Sequence, residues 1–137
     1  MKYLFFFLFF FYSFNSYSLN EKNFLIGKSF YEKKMYDKAK IEFEKSIVYN
    51  PKLIDSYIYL AKISLELKNL SEEERNLKTA IMLDPKNEEA LYLITELYIK
   101  EGDYDKAEKN YNILSSNCIN FCNKIKSLNA SILKFKQ

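Results

Sequence analysis

The sequence predicts an all-α fold built from a repeated helical hairpin, and three observations point to it. Tyr36-Asp37-Lys38-Ala39 returns unchanged as Tyr104-Asp105-Lys106-Ala107, sixty-eight positions later. The only two prolines, Pro51 and Pro85, stand half that distance apart, in Asn50-Pro51 and Asp84-Pro85. Apolar residues recur at spacings of three and four, and strand-like alternation is absent. A period of thirty-four residues describes a stack of two-helix units, none of which can bury its apolar face alone.

The first eighteen residues stand outside the repeat. Met1-Lys2 precedes an unbroken apolar run from Tyr3 to Tyr12, followed by Ser13-Phe14-Asn15-Ser16-Tyr17-Ser18. A basic start, a short apolar stretch and small residues at Ser16 and Ser18 describe a secretory signal cut after Ser18. The run is about half the ~20 residues that span a bilayer as a helix. A retained membrane anchor is the alternative. The expected mature domain, 19–137, is exported, either to the periplasm or outside the cell.

Blocks 20–53, 54–87 and 88–121 then align column by column. Ile26-Gly27, Phe30, Ala39, Phe43 and Pro51 in the first correspond to Leu60-Ala61, Ser64, Glu73, Leu77 and Pro85 in the second. The third has Ile94-Thr95, Tyr98, Ala107 and Tyr111, with Ile119 in the proline column. Small residues let two helices approach closely, and large apolar residues fill the space around them. Proline disfavours helix in the residue before it, so Pro51 and Pro85 end the second helix of their hairpins. Gly102-Asp103 marks the turn of the third hairpin, and Ser71-x-x-Glu74 has the capping-box pattern. Helices are expected at roughly 21–33, 37–50, 54–67, 71–84, 88–101 and 104–117. A seventh, at 121–135, caps the stack through Phe121, Ile125, Leu128, Ile132 and Phe135, with its lysines on the far side.

These columns resemble the tetratricopeptide repeat, whose period is the same. The resemblance covers residues 20 to about 121 and implies a tetratricopeptide-type α-solenoid of three helical hairpins plus the C-terminal capping helix. The second block departs from it at Glu73 and Ser64, and the third lacks the proline.

Composition argues against an enzyme. The chain has no histidine, which removes the commonest general base and metal ligand, and only two glycines, too few for a phosphate-binding loop. Glu72-Glu73-Glu74 and Glu88-Glu89 are paired carboxylates, but both fall in expected first helical turns, where the helix dipole favours negative charge. No cofactor or metal is expected. Twenty-one basic against eighteen acidic residues is too balanced for a nucleic-acid partner. No acid follows Glu108, while Lys109, Lys124, Lys126, Lys134 and Lys136 do; a solvated cap face accounts for them, and contact with anionic lipid or an acidic partner is the alternative.

Cys118 and Cys122 sit at the junction of the third hairpin and the cap. Two thiols do not make a zinc site, and the spacing has one residue too many for the usual redox dithiol motif. A disulfide is expected in an oxidising compartment, with free, partly buried thiols as the alternative. So short a loop contributes about 2 kcal/mol or less, enough to fix the angle of the cap without holding the domain together.

The resemblance implies a scaffold that binds a peptide or helix of a partner protein on the concave face formed by the first helix of each hairpin. On it that face carries Phe24, Lys28 and Tyr31, then Asp55, Ile58, Tyr59 and Lys62, then Glu89, Tyr92 and Glu96, with Tyr59 and Tyr92 side by side. Some members clamp a C-terminal carboxylate with basic and amide side chains. The matching positions here hold Phe24, Lys28, Tyr59, Glu89 and Leu93, so that clamp is not expected. Aromatic and mixed-charge groups suit an apolar peptide or helix. By analogy the process is cell-envelope assembly. A membrane-tethered adaptor retaining the N-terminal segment and a thiol–disulfide enzyme using Cys118 and Cys122 are the competing readings.

Overall fold

The computed structural model describes residues 21–135, and within them the chain is helical throughout, without strands. The segment 1–18, expected from the sequence to be a secretory signal, and the side chain of Phe135 lie outside the described residues. Helix α1 covers residues 21–32. It is followed by α2 (Tyr36–Tyr49), α3 (Ile54–Glu66), α4 (Leu70–Leu83), α5 (Glu88–Glu101), α6 (Tyr104–Asn117) and α7 (Ile125–Phe135). Helices pair as α1/α2, α3/α4 and α5/α6. Each hairpin packs on the next through α2 against α3 and α4 against α5, and α7 closes the stack on α5 and α6.

The turn inside each hairpin repeats in detail. Met35, Asn69 and Asp103, each thirty-four residues from the next, donate their backbone N–H to Phe30, Ser64 and Tyr98 at 2.9, 2.8 and 2.9 Å. This is the six-to-one bond that closes a helix through a left-handed residue. That residue is Lys34 (φ 57°), Lys68 (φ 57°) and Gly102 (φ 77°) in turn. Only the third is the glycine that the conformation favours. Helix α4 starts one residue earlier than expected because Asn69, not Ser71, is its cap. The Asn69 side chain accepts from Glu72 N–H and donates to the Glu72 carboxylate, at 3.2 Å each, a reciprocal pair two residues upstream of the expected capping box.

Close approach depends on the small-residue columns. Ala39, Ala80, Ala90 and Ala107 are fully enclosed and Ala61 nearly so. At Gly27 a Cβ would lie 2.8 Å from the Phe43 ring, so the first hairpin requires glycine there. The cap is seated by Leu128 and Ile132, both buried, with Leu128 against Leu91 and Leu114. Phe121 and Ile125 pack beside them. The capping helix begins at Ile125 rather than 121, because residues 118–124 form a turn of their own.

Glu73 breaks its column. Its counterparts Ala39 and Ala107 are buried, and Glu73 is itself only 2 % exposed, with Oε2 lacking a hydrogen-bond partner among the described residues. Burial disfavours the charged form and raises its pKa; Lys100 of α5 opposes this, and Glu101 and Glu96 add to it. A folded-state pKa above the unfolded one means that the folded protein holds this proton more tightly. Glu73 therefore costs least below the ordinary carboxylate pKa of 4.5 and destabilises progressively as pH rises through its folded value.

Two stability predictions follow from these columns. Glu73→Ala is expected to gain about 1 kcal/mol or more at neutral pH, with the gain shrinking as pH falls toward 4.5. Urea melts across that range check it, and a variant less stable at every pH would show that packing outweighs charge here. Lys68→Gly is expected to gain about 0.5–1 kcal/mol by relieving the left-handed backbone, and Gly102→Ala to lose a similar amount. A Cβ at Gly102 meets nothing within 4 Å, so paired melts of the two variants read backbone conformation alone.

Candidate peptide-binding surface

The first helices of the three hairpins are joined by a continuous run of side-chain contacts. In the first repeat, Phe24 and Tyr31 of α1 meet Tyr59 of α3 with ring centroids 5.8 and 5.2 Å apart, both edge-on. Tyr59 lies flat on Phe43 at 4.9 Å, with 15° between the rings. Lys28 and Lys62 stand over the Phe24 and Tyr59 rings at 5.9 and 4.8 Å. Lys62 Nζ then pairs with Glu89 Oε1 at 2.6 Å, carrying the run from α3 to α5.

On α5, the Tyr92 hydroxyl donates to Glu96 Oε1 at 2.7 Å, one helical turn away. This bond, helped by desolvation and the Glu96 charge, pushes the Tyr92 pKa up to about 12. Its ring meets Phe121 at 5.5 Å, and Lys124 Nζ stands 4.8 Å from the Phe121 ring and 5.9 Å from that of Tyr92. Burial, followed by the nearby Glu66 charge, raises the Tyr31 pKa. Tyr31 and Tyr92 are therefore neutral at physiological pH, and with Tyr59 they offer flat apolar faces edged by hydroxyls.

Nine of the ten residues expected on this face are open or half-buried: Phe24, Lys28, Tyr31, Asp55, Tyr59, Lys62, Glu89, Tyr92 and Glu96. Ile58 is a correction. It is 2 % exposed and belongs to the core between α3 and α5, with Ala61, Leu77 and Ile94. Tyr59 and Tyr92, expected side by side, belong to separate clusters, with the Lys62–Glu89 pair spanning their helices. Phe121 and Lys124 add to the third-repeat end of the surface, a role that the reading of residues 121–135 as a simple cap helix missed.

The described residues hold no group of three or more metal-ligating side chains, and no described helix is long and apolar enough to cross a membrane. Cys118 and Cys122 bring their sulfurs together across the turn after α6, with Cα atoms 5.4 Å apart.

Stacked hairpins of this kind define a helical-repeat protein, and the comparisons with known proteins give the family. Tetratricopeptide repeat profiles match residues 23–53 and 74–114. A TPR repeat-containing protein of Bacillus subtilis (strain 168), YpiA, is 32 % identical over 81 residues, 59 % of this chain; the chain spans only 19 % of that protein's length. The chain belongs to the tetratricopeptide repeat family.

Solved structures share the fold at low identity. The TPR2B domain of yeast Sti1, in a pHsp70 complex, superposes with a TM-score of 0.79 at 18 % identity, over 85 % of this chain and 98 % of that one. The Yersinia enterocolitica type III secretion chaperone SycD, in complex with a peptide of the translocator YopD, gives 0.76 at 13 %, over 85 % and 91 %. The Arabidopsis OM64 TPR domain gives 0.75 at 18 %, over 88 % and 97 %.

The ring contacts of Tyr59 generate a prediction. Tyr59→Ala is expected to cost about 3 kcal/mol, because three ring partners lose their common neighbour. Tyr92→Ala, whose one aromatic ring partner among the described residues is Phe121, is expected to cost about 1 kcal/mol. Thermal melts followed by circular dichroism check the order, and equal losses would contradict it.

Proposed function

We propose that this chain is a non-enzymatic scaffold that holds a peptide or helix of a partner protein along the first helices of its hairpins. The carrying observation is two groups of half-buried aromatic faces, Phe24, Tyr31 and Tyr59 in one and Tyr92 and Phe121 in the other, bridged by the Lys62–Glu89 pair and edged by lysines and carboxylates. Tyrosine supplies large contact area and a hydroxyl at little rotamer cost, which suits capture of an apolar segment. Lys62 and Glu89 already neutralise each other, and the Glu96 carboxylate already takes the Tyr92 hydroxyl. The surface is thus better adapted to side-chain faces than to an isolated charge. Two of the structural neighbours, the yeast and Yersinia proteins, are complexes with a partner or its peptide, which supports the same use here.

Export belongs to this proposal. Lys2, the Tyr3–Tyr12 run and Ser16-Tyr17-Ser18 support a secretory signal, and paired cysteines at 118 and 122 suit an oxidising compartment. The reading is a periplasmic or secreted adaptor working in the assembly of envelope components. If the N-terminal segment is retained, it is the same adaptor on a membrane anchor.

Site-specific photocrosslinking in the native source tests the surface. A photoreactive side chain at Lys28 or Glu96 is expected to capture a partner, and one at Val48 or Met82, exposed on α2 and α4, is not. Lys28→Glu should weaken capture about tenfold or more, as expected for a hot spot, with an unchanged helical melt. Capture from Val48 and Met82 alone would place the binding surface on the second helices instead.

A further inference from the structure

The turn between α6 and α7 is where the third repeat departs from the other two. After α2 and α4 the chain turns through Asn50-Pro51 and Asp84-Pro85, and the side chains of Asn50 and Asp84 accept from Lys52 and Lys86 N–H, both at 3.1 Å. In the third repeat Ile119 fills the proline column and so provides an amide that proline lacks. That amide donates to Glu88 Oε1 at 2.7 Å, and the next two, of Asn120 and Phe121, donate to Glu88 Oε2 at 2.8 Å each. Three consecutive backbone donors converging on one carboxylate form an anion-binding nest, filled here by a residue of the same chain. Desolvation opposes the Glu88 charge, but the amides of Phe121, Asn120 and Ile119 outweigh it and hold the carboxyl below its usual range.

Cys118 and Cys122 flank these three amides on either side. The turn is open to solvent: Ile119 is 82 % exposed, and both cysteines are half-buried. Glu88 begins α5, the helix that carries Glu89, Tyr92 and Glu96, and the same turn lays Phe121 and Lys124 over Tyr92. Two cysteines, a nest, its internal anion and one end of the binding surface thus occupy a single turn.

We propose that Cys118 and Cys122 form a reversible thiol–disulfide latch that sets whether Phe121 and Lys124 cover the Tyr92 end of the groove, an inference that rests on the groove reading. The oxidant is a small-molecule or protein disulfide. One cysteine thiolate attacks it, forming a mixed disulfide and releasing the first thiolate; the other cysteine then attacks its neighbour's sulfur and expels the second. Two electrons and two protons leave the dithiol, and the oxidant becomes two thiols; a dithiol reductant reverses both steps. Closing the ring holds the amides of 119–121 convergent, so Glu88 grips them and Phe121 lies on Tyr92. Opening it frees the turn, weakens the grip and bares Tyr92, while α7 stays seated through Leu128 and Ile132.

The test compares the full chain oxidised with glutathione disulfide and reduced with dithiothreitol. Hydrogen exchange at 119–121 is expected to be about tenfold slower in the oxidised protein, and nitration of Tyr92 by tetranitromethane, applied after free thiols are alkylated and reductant is removed, correspondingly slower. Oxidised Glu88→Gln should lose the protection while keeping the cysteines joined, and Cys118→Ser/Cys122→Ser should match the reduced wild type under both conditions. Equal exchange and equal nitration in the two redox states would overturn the latch, as would protection that survives Glu88→Gln. Photocrosslinking from Glu96 in each state separates the two readings. Capture that is equal in both states refutes the latch and leaves the groove; redox-dependent exchange and nitration alongside capture only from Val48 and Met82 refutes the groove as the regulated site.

Discussion

The distance between paired helices governs this molecule. Phe43 reaches the α1 backbone because Gly27 has no side chain, and the same closeness lets Phe43 support the Tyr59 ring from below. Alanines at 39, 61, 80, 90 and 107 extend that closeness along the stack. Enclosed small residues contribute little apolar area themselves; their role is to let Leu77 and Leu97 pack into one core cluster and Leu91 and Leu114 into another. The aromatic surface is a product of this spacing, since its rings are half-buried only where the helices beneath lie close.

Helix α5 is the hub of the fold. It contacts α4, α6 and α7, reaches α3 through Glu89 and holds the 119–121 turn through Glu88. Its two opening carboxylates thus perform different tasks, although both sit at a helix N-terminus where negative charge is favoured. Glu88 serves the cap, and Glu89 serves the groove. Tyr92 and Glu96 follow at four-residue intervals from Glu88, which puts the clasp and the surface on one side of one helix.

The repeat made the fold legible. Six of the seven helices lie where the thirty-four-residue columns place them, within a residue or so, because the helix ends are set by local chemistry: proline after α2 and α4, the left-handed residue after α1, α3 and α5. The start of α7 was not legible. It depends on Glu88, thirty-one to thirty-three residues away, and no local pattern encodes a partner at that distance. For the same reason Glu88 read only as a charge suited to a helix start. Most of the surface could be assigned by column, but a column fixes a direction on a helix and not the depth of burial. Ile58 lies beside Tyr59 in sequence yet is covered by the next hairpin. The Asn69 side chain, which accepts from Glu72 N–H and donates to the Glu72 carboxylate, likewise decided a cap that the Ser71-x-x-Glu74 pattern had suggested elsewhere.

Repeat arrays are held together by neighbour-to-neighbour couplings, so one weak coupling sets where the array comes apart. Glu73 stands in α4, the helix that packs against α5, and sets a buried carboxyl among charges where the adjoining repeats have methyl groups. That junction sets the charge cost against the apolar cluster of Ile58, Leu77, Ile94 and Leu97 that spans it. On one side lies a hairpin pair locked by the Phe24, Phe43 and Tyr59 rings; on the other, a hairpin and its cap clasped together by Glu88. Glu73 therefore lowers what that shared cluster contributes to the coupling, and the Lys62–Glu89 pair bridges the same junction at the groove.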